Sequence, residues 1–185
     1  MIDYKRLNDS IIYYETLGFN RIESPWTVTK AVSDITKPVG KTEWEILGKD
    51  KVLVASAEQS FLYLYLKGFL PNGKYQSITP CFRDDTFDIL HTKYFMKNEL
   101  IITDDVSDKK LTEVIGHCKR FFESILHTSV DVIKTEDGYD IEYNKIEIGS
   151  YGIRSCEYLD WIYATGLAEP RMSMIKKIVE KNGIS

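Results

Sequence analysis

The sequence predicts an α+β fold, an antiparallel β-sheet flanked by helices. Three observations predict it. Apolar residues recur at helical spacing in well-separated segments, and the stretches between them read as hairpin-linked strands, not as regular βαβ alternation. The composition, 43% apolar and 28% charged, is that of a folded globular chain and not of a disordered or fibrous one. At 185 residues, with no low-complexity stretch, repeat or Pro/Gly-rich linker, the expected organisation is a single domain over 1–185.

A first helix is expected over 4–17, where Leu7, Ile11, Tyr14 and Leu17 share a face and Gly18 supplies the stop. Residues 19–23 follow as a short extended piece ended by Pro25. Residues 57–67 place Phe61, Leu62, Tyr65 and Leu66 on one helical face. Pro71, Asn72 and Gly73 then form a turn, Pro fixing one φ and Asn or Gly accepting the other. Strands over 74–83 and 93–102 make an antiparallel pair around the polar loop DDTFDILHT. Ser107 is positioned to cap a helix over 109–126, with Val114, Ile115, Cys118, Phe121, Phe122 and Ile125 as its apolar face. Asp137-Gly138 and Asn144-Lys145 are turn signals that separate strands at 131–134, 139–143 and 146–149. The last helix is expected over 171–181 with Met174, Ile175 and Ile178 inward and Gly183 past its end.

A net charge of −4 and a pI near 5.5 argue against a strongly basic nucleic-acid sleeve. No apolar run approaches the ~20 residues that span a bilayer, and MIDYKRLNDS has no signal-peptide core. Cys81, Cys118 and Cys156 are widely spaced without a CxxC pair. That excludes a disulfide scaffold or a cysteine-based zinc site and points to a reduced, cytoplasmic setting.

Three segments carry candidate chemistry. The first, GFNRIESPW (18–26), reads by itself as helix stop, strand and strand-ending proline. In the second, TPCFRDDTFDILHTKYFMKNELI (79–101), a period of two puts Phe95, Lys97 and Glu99 on one strand face, near Arg83. Arg suits a phosphate because its planar fork donates bidentately, and a neighbouring ring is a platform for a base. The same residues also fit a solvated hairpin with an Arg–Asp pair. In the third, Glu147 precedes a Gly-Ser-Tyr-Gly bend, and GLAEPR (166–171) leads into the last helix. Arg171 at a helix start can reach an anion, and a tight turn with Pro at the helix entry fits equally. There is no GxxxxGK[ST] and no GxGxxG.

In order, these segments resemble the three motifs of the class II aminoacyl-tRNA synthetase catalytic core. GFNRIESPW resembles motif 1, CFRDD…HTKYFMKNEL motif 2 with its Phe-Arg-x-Glu, and GLAEPRMSMI motif 3. EIGSYGIR resembles the Glu-Leu-Gly-Gly-Gly-Ser-x-Arg strand of the aspartyl and asparaginyl branch. ASAEQSFLYL resembles the Thr-x-Glu segment of seryl-type enzymes, and TPCFR fits that branch as well. The resemblance covers roughly 15–180. Asp85 stands where motif 2 has glutamate, Ala168 where motif 3 has a frequent glycine, and Pro170 splits the Glu-Arg pair.

The resemblance implies ATP and Mg²⁺ as cofactors and an amino acid or related carboxylate as substrate. Arg83 and Arg171 would be the catalytic cations, Arg83 on the α-phosphate. Asp85 would contact the adenine amino group, Phe95 would stack on adenine, and His91 would reach the β/γ-phosphates. Glu58 would take the α-amino group, and Glu147 with Glu99 would hold the metal. Motif 1 implies a homodimer through 18–26. With no room for an anticodon-binding domain, the expected activity is adenylate formation by a stand-alone core. Its acceptor would be a carrier protein, or a tRNA recognised unconventionally. A non-catalytic ATP- or tRNA-binding regulator and one subunit of a split synthetase are the alternatives.

Overall fold

The computed structural model describes residues 1–38, 40–84 and 93–181. In chain order the elements are α1 (Tyr4–Glu15), β1 (Asn20–Arg21), β2 (Thr27–Val28), α2 (Lys30–Ser33), β3 (Val52–Leu53) and α3 (Ala57–Leu66). Then come β4 (Lys74–Phe82), β5 (Tyr94–Ile102), α4 (Asp108–Leu126), β6 (Asp131–Lys134), β7 (Tyr139–Tyr143), β8 (Ile146–Cys156), β9 (Leu159–Glu169) and α5 (Arg171–Lys181). Caps set the helix starts. Asp3 accepts the Arg6 N–H at 2.9 Å ahead of α1, and Ser107 accepts that of Lys110 at 3.2 Å ahead of α4. Gly18, at φ +82°, turns the chain from α1 into β1.

One sheet carries the fold, in the order β1-β4-β5-β9-β8-β7-β6, with β2 and β3 forming a separate two-stranded sheet. The pairing is antiparallel throughout the large sheet except at one edge, where β1 runs parallel to β4. The sheet is antiparallel as expected, with this two-residue parallel edge added to it. The turn after α1 returns the chain alongside β4 in β4's own direction.

Both faces of the sheet are covered. On one, α1, α4 and α5 bury Leu7, Tyr14, Val114, Cys118, Phe122 and Ile175 against Leu100, Ile102, Ile162 and Ala164. On the other, α3 and the β2–β3 sheet bury Val28, Val52, Phe61 and Leu62 against Ile101, Trp161 and Tyr163. Strand alternation makes this division: in β5 the residues 98, 100 and 102 face the three-helix layer, and 95, 97, 99 and 101 face the other way. A buried amide network ties α1 to the sheet. Asn98 Nδ2 donates to Ser10 Oγ at 3.0 Å and to Gln76 Oε1 at 3.1 Å, and Gln76 Nε2 donates to the Ile11 carbonyl at 3.0 Å.

Several expectations shift. The strand foreseen at 146–149 continues to Cys156, so the supposed bend at 149–152 lies within β8. Its glycine at 152 is a packing requirement, since a Cβ there would come within 2.7 Å of the Tyr163 hydroxyl. β9 is buried along most of its length and so lacks the alternation that marks a half-exposed strand. In α3 it is the first turn that is buried, while Leu66 is exposed, because only the helix start enters the sheet layer. In α5 the buried stripe is Met172, Ile175 and Val179, rotated from the expected Met174 and Ile178.

Burial pushes the Cys81 thiol up to about 11 and that of Cys118 to about 12. Both therefore stay protonated and unreactive at neutral pH. The folded chain is expected to take up a thiol reagent at Cys156 alone, with Cys81 and Cys118 reacting only in denaturant. Mass spectrometry of the labelled chain checks this, and labelling of all three thiols under native conditions would contradict it.

Candidate functional site

A cleft of about 710 Å³ opens on the sheet face that carries α3. Its walls come from the β4–β5 strand ends, β8, the β9–α5 junction, the start of α3 and the segment from α2 to residue 43. Glu58, Arg83, Phe95, Glu99, Glu147 and Arg171 all line it. These residues, spread over more than a hundred positions of sequence, are thus brought to one concave surface. Asp85 and His91 lie outside the described residues.

Arg83 follows β4 directly, with its backbone N–H bonded to the Lys93 carbonyl at 3.0 Å. Its Nε donates to the Ala55 carbonyl at 3.3 Å, and its guanidinium lies 5.1 Å from the centre of the Phe95 ring. The cation is therefore held over an aromatic face. On another wall Arg171 opens α5, and its Nη1 lies 3.2 Å from the Glu147 carbonyl and 3.3 Å from Glu147 Oε1. Glu147 itself is exposed. At the mouth, Thr42 Oγ1 donates to Asp84 Oδ2 at 3.0 Å, and Lys37 is paired with Asp34 and Glu43.

The floor is a set of compensated charges. Glu58, 4% exposed in the first turn of α3, accepts from Arg154 of β8 and from the indole N–H of Trp161 of β9, each at 2.6 Å. Burial pushes the Glu58 carboxyl up, and the Arg154 charge opposes that shift. The Arg154 guanidinium lies 4.1 Å from the Tyr163 ring centre. Beside it, Lys97 Nζ meets Glu99 Oε1 at 2.7 Å, both residues buried. Glu99 Oε2 is buried and has no partner among the described residues.

Two of the expected site carboxylates have partners within the chain. Glu99 is committed to Lys97, so Glu147 is the more open of the two carboxylates assigned to a metal. Among the described residues no three His, Cys, Asp or Glu side chains gather in a way that could hold an ion by themselves. Glu58 has one hydrogen bond on each oxygen already. The residues that sequence reasoning passed over are Arg154, Trp161 and Tyr163, while Lys97 was placed on the Phe95–Glu99 face and given no role. Lys97 and Arg154 lie within the quoted segments, so their position was a usable signal. Trp161 and Tyr163 belong to β9, where no periodicity pointed to one face.

No family model matches the sequence, and no curated protein matches it significantly. Solved structures do match in fold. Pyrrolysyl-tRNA synthetase from Desulfitobacterium hafniense superposes with a TM-score of 0.74 at 14% identity, over 94% of this chain and 69% of that one. Seryl-tRNA synthetase from Pyrococcus horikoshii, complexed with ATP, gives 0.72 at 18% identity, over 90% of this chain and 48% of that one. The cytoplasmic serine-tRNA ligase from Naegleria fowleri, in complex with AMP, gives 0.69 at 18% identity, over 89% and 46%. The chain has the class II synthetase catalytic-core fold, and spans about half the length of the two seryl enzymes.

The Glu58–Arg154 pair makes a prediction about pH. A carboxyl raised in the folded state contributes stability that is complete below its ordinary value of 4.5 and is lost as pH rises through the folded value. Arg154→Ala removes the charge that opposes the rise and so moves the folded value higher. The variant should lose about 1–2 kcal/mol at neutral pH, the partly exposed Arg154 being screened by water, and progressively less as pH falls toward 4.5. Melting curves of both chains across that range check it, and a loss independent of pH would assign the effect to packing.

Proposed function

We propose that the chain activates an amino acid or related carboxylate with ATP, as the adenylate, and passes it to an acceptor other than a conventionally recognised tRNA. The observation that carries this reading is the convergence of Arg83 over Phe95 with Arg171 beside Glu147 in one cleft. An aromatic face with one guanidinium at it and a second in the same cleft suits a nucleoside triphosphate: the ring takes adenine and the guanidiniums take phosphate oxygens.

In the proposed step the substrate carboxylate oxygen attacks the α-phosphorus, the bond to the bridging oxygen breaks, and pyrophosphate leaves. No covalent protein intermediate is needed. The chain's task is to align carboxylate and phosphorus and to place positive charge around the crowded phosphorus. Arg83 serves the α-phosphate, Phe95 the adenine, and Arg171 the second face of the base or the terminal phosphate. Asp85 on the adenine amino group and His91 on the β/γ-phosphates belong to the same proposal. Glu58 and the free oxygen of Glu99 offer acceptors for an α-ammonium group. Glu147 fits Mg²⁺, which takes one or two carboxylates and completes its shell with phosphate oxygens and water. Bound there, the ion would neutralise the leaving pyrophosphate.

A second copy packed across 18–26, with its exposed Trp26, and the exposed Tyr4 and Ile12 of α1 is part of the proposal. So is a cytoplasmic setting, in which the three free thiols remain reduced. Among the described residues no helix is long and apolar enough to cross a membrane.

ATP–pyrophosphate exchange with a panel of amino acids tests the reading. Exchange should appear with one acid or a small group of them, and Arg83→Ala should lower it about 10²–10³-fold, the usual loss on removing a charge-stabilising donor. Measurable ATP binding with no exchange for any acid would move the chain to the non-catalytic, regulatory reading.

A further inference from the structure

The β9–α5 junction contains a fully buried carboxylate. Glu169 has no exposed surface, lines the cleft and stands two residues before Arg171. Its Oε1 accepts from Arg6 of α1, and its Oε2 accepts the backbone N–H of Ser173, in the first turn of α5, at 3.3 Å. Arg6 Nη1 also donates to Ser173 Oγ at 3.0 Å, and its Nη2 lies 3.1 Å from Asp3 Oδ2. One guanidinium therefore joins the cap of α1, the end of β9 and the start of α5.

Each part of this cluster has a physical reason. A carboxylate at a helix N-terminus is favoured by the exposed N–H groups and the helix dipole. Buried completely, the same carboxylate is costly unless a cation is paired with it. Arg6 is that cation, and it comes from a helix distant in sequence. The helix carrying it is itself anchored, since the Tyr14 hydroxyl donates to the Gly166 carbonyl at 3.0 Å and Asn98 holds Ser10. Arg171 leaves the same first turn of α5 that Glu169 and Arg6 hold. Its side chain is long, so a small rotation of that turn displaces the guanidinium from Glu147 and from the cleft.

We propose that Arg6 is a positioning residue. Through Glu169 it sets the first turn of α5, and thereby places Arg171 for the nucleotide phosphates. This rests on the reading that ATP occupies the cleft. It adds a route by which the first helix, outside the cleft, governs ligand binding within it.

The test is a double-mutant cycle on ATP affinity, measured by calorimetry in the full chain. Arg6→Gln and Arg171→Ala should each weaken ATP about tenfold, and the double variant should bind no more weakly than Arg171→Ala, because both changes remove one interaction. Arg6→Lys, which keeps the charge and loses the fork, should fall between Arg6→Gln and the parent chain. If Arg6→Gln does not fold, Arg6→Lys and Ser173→Ala carry the same cycle against Arg171→Ala. Effects that simply add, or an Arg6 variant with unchanged ATP affinity, would overturn the proposal and leave Arg6 a stabilising residue only. A parent chain that binds no ATP would overturn the functional reading and the coupling with it. That outcome is distinct from failure of the coupling alone, which leaves parental binding intact.

Discussion

Glu58 sits where three elements meet. It enters from the first turn of α3, takes a guanidinium from β8 and an indole N–H from β9, and is almost entirely withdrawn from solvent. A lone carboxylate in that place would not stay ionised, so the cation and the indole are conditions for having it there at all. The cleft depends on this. Its floor is the face of a sheet covered on both sides, and such a face can carry polar groups only where they neutralise one another. Lys97 with Glu99 repeats the solution one strand away. The charged floor is therefore continuous with the hydrophobic layer of Phe61, Ile101 and Trp161, not a hole cut in it.

The alternation of β5 divides the work between the two faces. Asn98 turns toward α1 and joins the amide network that fixes that helix, while Phe95, Lys97 and Glu99 turn toward the cleft. Loss of register by one residue would exchange the two sets and bury the charges beneath the helices. The long antiparallel pairing with β4, from Lys74 opposite Ile102 to Phe82 opposite Tyr94, holds the register. It also delivers Arg83 at the strand end beside Phe95. The floor, the placement of Arg83 over Phe95 and the anchoring of α1 thus follow from one ladder of hydrogen bonds.

Much of this was legible because the signals were local. The α4 face from Val114 to Phe122 appears in the periodicity of the chain, and Ser107 at its start is a cap by its chemistry and position. The β4–β5 hairpin and the shared face of Phe95, Lys97 and Glu99 follow from a period of two. Other features were illegible for equally definite reasons. β9 is buried on both faces and alternates nothing. The phase of α5 is set by what it meets, so Met174, as apolar as Met172, is only partly buried while Met172 is fully so. In α3 the polar first turn is buried because Glu58, Gln59 and Ser60 each find a partner from another segment, and propensity alone cannot foresee that.

By itself the sequence determined the fold class and most element positions, and it marked out candidate residues for a nucleotide, since these rest on periodicity, turn chemistry and motif order. The tertiary structure alone decided how those residues are used. It set Glu147 beside Arg171 at the exposed rim, tied Glu99 to Lys97, gave Glu58 to Arg154 and Trp161, and set Arg6 against Glu169. The reason is physical. Whether a buried charge is free or committed depends on which opposite charge the folded chain brings within hydrogen-bond reach, and the Glu58–Arg154 and Arg6–Glu169 pairs join residues distant in sequence.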